Sequence, residues 1–419
     1  MSTWDKTPFT QLLVDSKDGE WGNSEATVGS REAIVIRGTD FADLDNLAAQ
    51  FPRRWIKNHI VDRKRLHPGD LILETAGGTS TQSTGRSALM KQSFFNHHSD
   101  IPVLCASFSR HLRLDRAKYS PRFIYHLLQT LHRFGYMAVF NIQHTGVSRF
   151  QYTAFKNHTE LQIPDLPTQR KIAAILSAYD ELIENNQQHI ALLEKIAEEI
   201  YREWFVRLRF PGHGNVRVVK GVPETWDNTR FGKFCMLKRG YDLPDRSVEP
   251  GEYPVIASTS IKTYHNEFKV KPPVITTGRS GSLGTVLMVH RKAWPLNTAL
   301  YVRDFFGNSP YLVFYTLKNM GLETFNSGAG VPTLNRNHIN GIRIAVPDRD
   351  LQGRFDSIVS PIHEQKEQVK KANAILTSAR EALLPRLISG KLSVENLDIN
   401  YPPGMAEELN AEPAVSTHA

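Results

Sequence analysis

Cysteine is nearly missing from this chain of 419 residues: Cys105 and Cys235 are the only two. They stand far apart and outside any Cys-x-x-Cys spacing, which excludes a disulfide framework and a cysteine zinc site and fits a reducing compartment. Long apolar runs are missing as well. No stretch approaches the roughly 18 apolar residues that a spanning helix requires. The segment from Met1 to Leu13 lacks the apolar centre of a signal peptide, because Trp4, Asp5, Lys6 and Pro8 interrupt it. The sequence predicts a soluble cytoplasmic protein with no membrane partner.

The usual catalytic signatures are missing too. There is no Gly-x-Ser-x-Gly elbow, no His-Glu-x-x-His helix and no (Asn/Asp)-Pro-Pro-aromatic motif, and Lys271-Pro-Pro-Val274, the nearest approach to the last, has the wrong flanks. The spacing Gly278-x-x-Gly281-x-x-Gly284 has neither the Gly-Lys-Ser/Thr of a phosphate loop nor the Gly-x-Gly-x-x-Gly of a dinucleotide fold. His97-His98 with Asp100, and His126 with His132, are the densest candidates for metal binding. No cysteine or carboxylate partner lies at zinc-ligand spacing from them. No catalytic residue, metal site or cofactor is therefore assigned to this chain, and the balance falls toward a binding protein.

What is present is an ordinary globular composition, 40% hydrophobic and 22% charged, with a basic surplus. The 51 Lys and Arg against 43 Asp and Glu give a net charge of +8, which favours a polyanionic partner. The length suits two domains better than one. The chain also repeats itself. Leu161-Gln-Ile-Pro-Asp-Leu-Pro-Thr-Gln169 matches Ile344-Ala-Val-Pro-Asp-Arg-Asp-Leu-Gln352, a strand-like run meeting Pro-Asp ahead of a helix. Ser120-Pro-Arg-Phe answers Ser309-Pro-Tyr-Leu as a Ser-Pro helix start, and Gly146-Val147 answers Gly330-Val331. The order of the three landmarks is the same in both copies, and their spacing nearly so.

Each copy ends in a long heptad pattern. The first seam reads Ile172, Leu176, Tyr179, Ile183, Ile190, Leu193, Ala197, Ile200 and Trp204, interrupted by Asn186. The second reads Phe355, Ile358, Ile362, Val369, Ala372, Leu376, Ala379 and Leu383, with Gln365 as its polar position. Helices of roughly 50 Å outrun one small domain, so packing on each other is the expected way to bury both stripes. Since a module precedes each helix, the pairing is expected to be antiparallel with approximate two-fold symmetry.

The fold class that follows is α+β: two similar globular α/β modules separated by two long helices that form an antiparallel coiled coil. The expected boundaries are 1–165 for the first module, 166–209 for the central helix, 210–347 for the second module, 348–390 for the distal helix and 391–419 for a disordered tail. The breaker cluster Phe210-Pro-Gly-His-Gly-Asn215 ends the central helix. The tail carries Glu407, Glu408 and Glu412, and beyond Pro402-Pro403 it has no Lys or Arg.

The informative stretches inside the modules are rich in Gly, Ser and Thr. They are Gly69 to Gly78, continuing through Thr79 and Gln82 to Arg86, and Val274 to Thr285. Glycine there lets the backbone approach a groove, and hydroxyls and arginines can donate to phosphates or base edges. The candidate DNA-contacting residues are Arg86, Lys91, Arg149 and Tyr152 in the first copy and Arg279, Ser280, Asn335 and Arg336 in the second.

Three further segments complete the pattern. They are Leu161 to Asp180, then Glu203-Trp-Phe-Val-Arg-Leu-Arg-Phe-Pro-Gly212 with Gly221-Val-Pro-Glu-Thr-Trp226, and Leu383-Leu-Pro-Arg-Leu-Ile-Ser-Gly-Lys-Leu392. With them the chain resembles, along nearly its whole length, the specificity subunit of Type I DNA restriction-modification systems. The resemblance implies two target-recognition domains, each reading one half of an interrupted, asymmetric site on double-stranded DNA, with the coiled coil fixing the gap. It implies docking of two methyltransferase subunits that carry S-adenosylmethionine and methylate adenine, and of restriction-translocase subunits that use ATP and magnesium. The alternatives are a specificity subunit of a methylation-only or related defence complex, a self-sufficient nuclease or methyltransferase with unrecognised motifs, and a coiled-coil scaffold without DNA affinity.

Overall fold

The structure is a computed structural model that describes residues 4–46, 49–78, 83–144, 147–328 and 330–410. Thr79, Gln82, Gly146 and residues 411–419 of the expected tail lie outside them. Two compact units result, one made of Met1–Gln187 with Lys371–Ala419, the other of Gln188–Lys370.

In unit 1 the central sheet has the strand order Leu13–Asp18, Ser109–Leu114, Leu71–Glu74, Ser87–Leu89, all antiparallel. A second sheet sets Ser30–Ile36 between Arg53–Lys57 and Val103–Cys105, the last pair parallel. Asp5–Pro8 pairs with Glu160–Ile163 at the entrance to the long helix. Unit 2 repeats this plan strand for strand. Its sheet runs Met236–Arg239, Ala299–Asp304, Val274–Gly278, Val286–Val289, and its second sheet sets Tyr253–Ile256 between Ile261–His265 and a parallel Trp294–Pro295. Asp227–Arg230 pairs with Arg343–Val346. The repeat thus reaches the start of each module, where Thr3-Trp4-Asp5-Lys6-Thr7 and Thr225-Trp226-Asp227-Asn228-Thr229 are legible in the sequence as a further match.

The long helices are Leu166–Tyr201, followed by a π-helical turn over Arg202–Val206, and Arg349–Ile388. Each starts on an aspartate: the Thr168 N–H donates to Asp165 Oδ1 (3.1 Å) and the Leu351 N–H to Asp348 Oδ1 (2.9 Å). These bonds satisfy donors that a helix N-terminus leaves free. The landmarks of the repeat meet at one buried joint. Gln169 Oε1 accepts from the Ser120 N–H (2.9 Å), while its Nε2 donates to the carbonyls of Pro164 (2.9 Å) and Lys118 (3.1 Å). Gln352 Oε1 accepts from the Ser309 N–H (2.8 Å), and its Nε2 donates to the Pro347 carbonyl (2.9 Å) and Asn308 Oδ1 (3.1 Å). The glutamine side chain is the bracket that fixes each long helix to the shorter helix of its module.

Within each unit the two helix segments run antiparallel. In unit 1 Asn186 Nδ2 donates to Asn373 Oδ1 (2.8 Å), Asn373 Nδ2 donates to the Ile183 carbonyl (3.2 Å), and Arg380 pairs with Asp180. In unit 2 Lys366 pairs with Glu194 (3.3 Å), His189 lies against Gln365 (3.4 Å), and Phe355 packs on Trp204 and Phe205. The seam of the distal helix differs by one position from the heptad reading. Ile358 is 42% exposed, whereas Val359 is fully buried in the core of unit 2. The intervening seam places fall four residues after Phe355, Ile362 and Val369, at Val359, Lys366 and Asn373, and the polar character of the last two hides them from an apolar pattern. Of the other seam residues, Ile172, Leu176, Leu193 and Phe355 are buried. Tyr179, Ile183, Ile190, Ile200, Ile362, Val369, Leu376 and Leu383 are half-buried.

The ends of the helices complete the module cores. Ile172, Ala173 and Leu176 join Phe9, Phe123, Leu384 and Leu387 in one cluster, and Ala197, Tyr201, Phe355 and Val359 join Phe231, Phe234 and Leu312 in another. The expected disorder of 391–419 is corrected over 391–410. Val394 and Met405 are each 2% exposed in the core of unit 1, and Pro403–Asn410 is helical. Arg122 Nη2 donates to the Gly404 carbonyl (2.6 Å) and Lys171 Nζ to that of Glu395 (2.6 Å). Apolar side chains at Leu392, Val394, Ile399 and Met405 outweigh the polar composition that suggested a loose tail.

Candidate nucleic-acid interface

In each module three loop segments are tied together by the same backbone hydrogen bonds. In unit 1 the N–H groups of Thr75 and Ala76 both donate to the Phe108 carbonyl (2.8 and 3.2 Å), and the Phe150 N–H donates to the Thr75 carbonyl (2.8 Å). Arg149 stands opposite Ala76 in the strand pairing. In unit 2 the N–H groups of Arg279 and Ser280 both donate to the Thr298 carbonyl (2.8 and 3.2 Å), and the Leu334 N–H donates to the Arg279 carbonyl (2.8 Å). Thr333 stands opposite Ser280. The bonding matches Thr75 with Arg279, Ala76 with Ser280, Phe108 with Thr298, Arg149 with Thr333, and Tyr152 with Arg336. A short helix begins at each of the last two, Tyr152–His158 and Arg336–Asn340.

The shared platform carries different side chains in the two copies. In unit 1 it borders a cleft of about 730 Å³ lined by Phe108, Arg110, Arg149, Tyr152, Asn157 and Asp18 among others. Arg110 lies 4.4 Å over the Tyr152 ring and pairs with Asp18, and the Tyr152 hydroxyl lies 2.9 Å from Ser16 Oγ. Burial foremost raises the Tyr152 hydroxyl above its ordinary pKa, so it stays protonated and able to donate. Arg149 is exposed and makes no ion pair among the described residues. In unit 2 Arg279 Nη1 donates to the Asn297 carbonyl (3.0 Å), which holds its guanidinium against the loop. Asn335 caps the short helix by accepting from the Asn337 N–H (3.0 Å), and Arg336 is exposed beside it.

Six of the eight sequence candidates therefore share these platforms: Arg149 and Tyr152 in one, Arg279, Ser280, Asn335 and Arg336 in the other. Arg86 and Lys91 do not. The Arg86 guanidinium is a fork on Glu74 (2.8 and 2.6 Å) and also donates to the Gly38 carbonyl (3.0 Å), and Lys91 pairs with Asp45 (2.8 Å) and Glu184 (3.1 Å). Both are held in internal ion pairs, and the Nε–Nη2 fork of Arg86 is taken by Glu74. Gly278 also has an internal reason: a Cβ there would stand 2.1 Å from the Ser282 carbonyl, so its loop closes on itself. Residues missed by the sequence reading are Phe108 and Thr298. The available signal was the Ser120 and Ser309 correspondence, which brings their two turns into near register when carried upstream. Among the described residues no group of three or more His, Cys, Asp or Glu could hold a metal ion. No helix among them is long and apolar enough to cross a membrane.

Comparison with known proteins meets this geometry. Residues 61–195 match the Type I restriction modification DNA specificity domain. The chain is 27% identical over 266 residues to the Type I restriction enzyme MjaIX specificity subunit of Methanocaldococcus jannaschii, a match that takes in 57% of this chain and 62% of that one, less than two thirds of the relative's length. It is 21% identical over 365 residues to the putative type I restriction enzyme MjaX specificity subunit of the same organism, covering 81% and 82%. In fold it is similar to the crystal structure of a Type-I restriction-modification system S subunit from M. genitalium, with a TM-score of 0.56 at 18% identity over 92% of this chain and 96% of that one. The twice-built platform, the long-helix architecture and these likenesses agree: the chain carries a Type I restriction modification DNA specificity domain over residues 61–195 and is similar to specificity subunits of type I restriction enzymes.

Proposed function

We propose that this chain is the sequence-reading, non-catalytic subunit of a type I restriction-modification complex. Each module reads one half of an asymmetric bipartite site on double-stranded DNA, and the length of the long helices sets the gap between halves. Two methyltransferase subunits, supplying S-adenosylmethionine and adenine methylation, and restriction-translocase subunits, using ATP and magnesium, are its partners. The observation that supports this most directly is the pair of platforms: one hydrogen-bonded loop frame occurs twice with different side chains on it. A frame kept while its exposed side chains change suits the reading of two different short sequences, since base identity is read by side chains at groove edges.

The test is insertion of one heptad into each long helix. The reading expects the half-sites to stay the same and the gap to grow by about 10 Å, roughly three base pairs. Mapping methylated adenine genome-wide in cells that carry the variant with its partners measures both. New half-sites at an unchanged gap would sink the proposal. So would cleavage or methylation by the purified chain alone with magnesium or S-adenosylmethionine, which belongs to a self-sufficient enzyme.

A further inference from the structure

Phe108 sits in the turn between the strands Val103–Cys105 and Ser109–Leu114, and it is 65% exposed. Exposure of one aromatic is unremarkable by itself, because isolated apolar residues are common on surfaces. Three facts set this one apart. Its carbonyl receives two N–H donors, so its backbone is fixed while the ring is left in solvent. The ring lines the same cleft as the unpaired Arg149 and the Arg110 and Tyr152 stack. The matching position in unit 2 is Thr298, held by the same pair of donors at the same distances. The frame closes equally well around a threonine, so folding does not require an aromatic there.

A ring that the fold does not need, presented rigidly next to a cation, has the attributes of a recognition group. Resting on the DNA-reading function proposed above, we infer that Phe108 is a specificity-determining residue of the first module. Its ring makes an apolar contact with a base of the first half-site, whereas at the matching place in the second module the Thr298 hydroxyl is buried and presents no such group. The C5-methyl of thymine is the apolar group that the major groove displays, and phenylalanine is among the side chains that meet it. Arg149 beside it supplies the phosphate or guanine contact that holds the ring in register. Neither half of this assignment follows from charge or glycine content, which is why Phe108 is silent in a search for basic or hydroxyl contacts.

The experiment is genome-wide mapping of methylated adenine in cells expressing the full chain with its methyltransferase partner, as wild type, Phe108→Thr and Thr298→Phe. Phe108→Thr copies the residue that the matching frame already accommodates. The expected result is a drop of about tenfold or more in methylation of the wild-type motif, with one or two base positions of a single half-site relaxed. The other half-site and the gap stay as they were, and Thr298→Phe changes the opposite half only. An unchanged motif at unchanged level overturns the inference while leaving the DNA-reading function intact. A wild type that yields no bipartite motif overturns both. Complete loss of methylation by Phe108→Thr supports the inference if the melting temperature and partner co-purification are those of wild type. It overturns the inference if the melting temperature falls, because Phe108 is then structural.

Discussion

In unit 1 the helix Pro121–Arg133 presents His126 to Asp180 of the long helix at 3.8 Å, while in unit 2 the helix Pro310–Lys318 presents Tyr315 to His363 at 2.8 Å. The two pairs occupy the same place, six residues after the capping serine and eleven after the joint glutamine. One pair is an imidazole beside a carboxylate. The other is a phenol bonded to an imidazole whose neighbours are Lys366, Lys370, Lys318 and His290. What the two units share is the backbone joint and the glutamine that closes it; what differs is the chemistry packed beside it. Position is fixed where a side chain bonds to main-chain atoms, and free where it bonds to another side chain, because a pair can be exchanged together but a backbone group cannot.

The largest effect is expected at the shared element. Gln169→Ala strands one N–H and two carbonyls, whereas Gln352→Ala strands one N–H and one carbonyl, since Asn308 Oδ1 keeps its bond from Arg349 Nη1 (2.7 Å); the first costs about 3 kcal/mol or more and the second about 2 kcal/mol, each in its own unit. Hydrogen exchange read separately over the two units measures it. A loss below about 1 kcal/mol in either unit means that the glutamine is not what holds the joint, and the comparison breaks. Next in size is the seam. Val359→Ala is expected to cost about 2 kcal/mol, and Ile358→Ala less than about 0.5, by denaturant unfolding. The reverse order restores the unshifted heptad and removes the match of Val359 with Leu176.

The finest test of the comparison is the pH dependence of the differing pairs. Burial foremost pushes both imidazoles below their ordinary 6.5, His126 to about 4 and His363 to about 3. Asp180 opposes the shift at the first, while the surrounding cations deepen it at the second. Between 6.5 and the lowered value the unfolded chain binds a proton that the folded chain refuses, so stability falls as the pH drops through that window. The slope is about 1.4 kcal/mol per pH unit for each group. His363→Gln is expected to flatten the acid limb of unit 2 down to about 3, and His126→Gln that of unit 1 only to about 4. Equal acid sensitivity of the two units, followed by hydrogen exchange against pH, would show that the neighbouring charges do not distinguish them.

Much of this architecture is legible in the sequence for a physical reason. Pro164, Gln169 and Ser120, with Pro347, Gln352 and Ser309, are conspicuous because one buried bracket requires all three at once. The seam is legible in period and displaced in register, since Lys366 and Asn373 occupy places that an apolar search skips; the offset between Pro164 and Pro347, 347 − 164 = 183 residues, applied to Leu176 points to Val359 directly. The ion pairs of Arg86 and Lys91 are not legible, because their carboxylate partners, Glu74, Asp45 and Glu184, come together only when the sheet and helix fold, and a sequence shows a cation without its neighbour. Phe108 was unread because its role depends on which turn faces the cleft.

The segment that carries Val394 and Met405 into the first core also sets the order in which the protein can be made. Gln188–Lys370 is one continuous stretch and is complete before the ribosome reaches Lys371. The other unit is assembled from both sides of it, so its amino-terminal part waits through the synthesis of 183 intervening residues for the helical segments that seal its core. The portion translated first is therefore the last to become finished, and during that interval its unsealed apolar face is the one that chaperones have reason to hold.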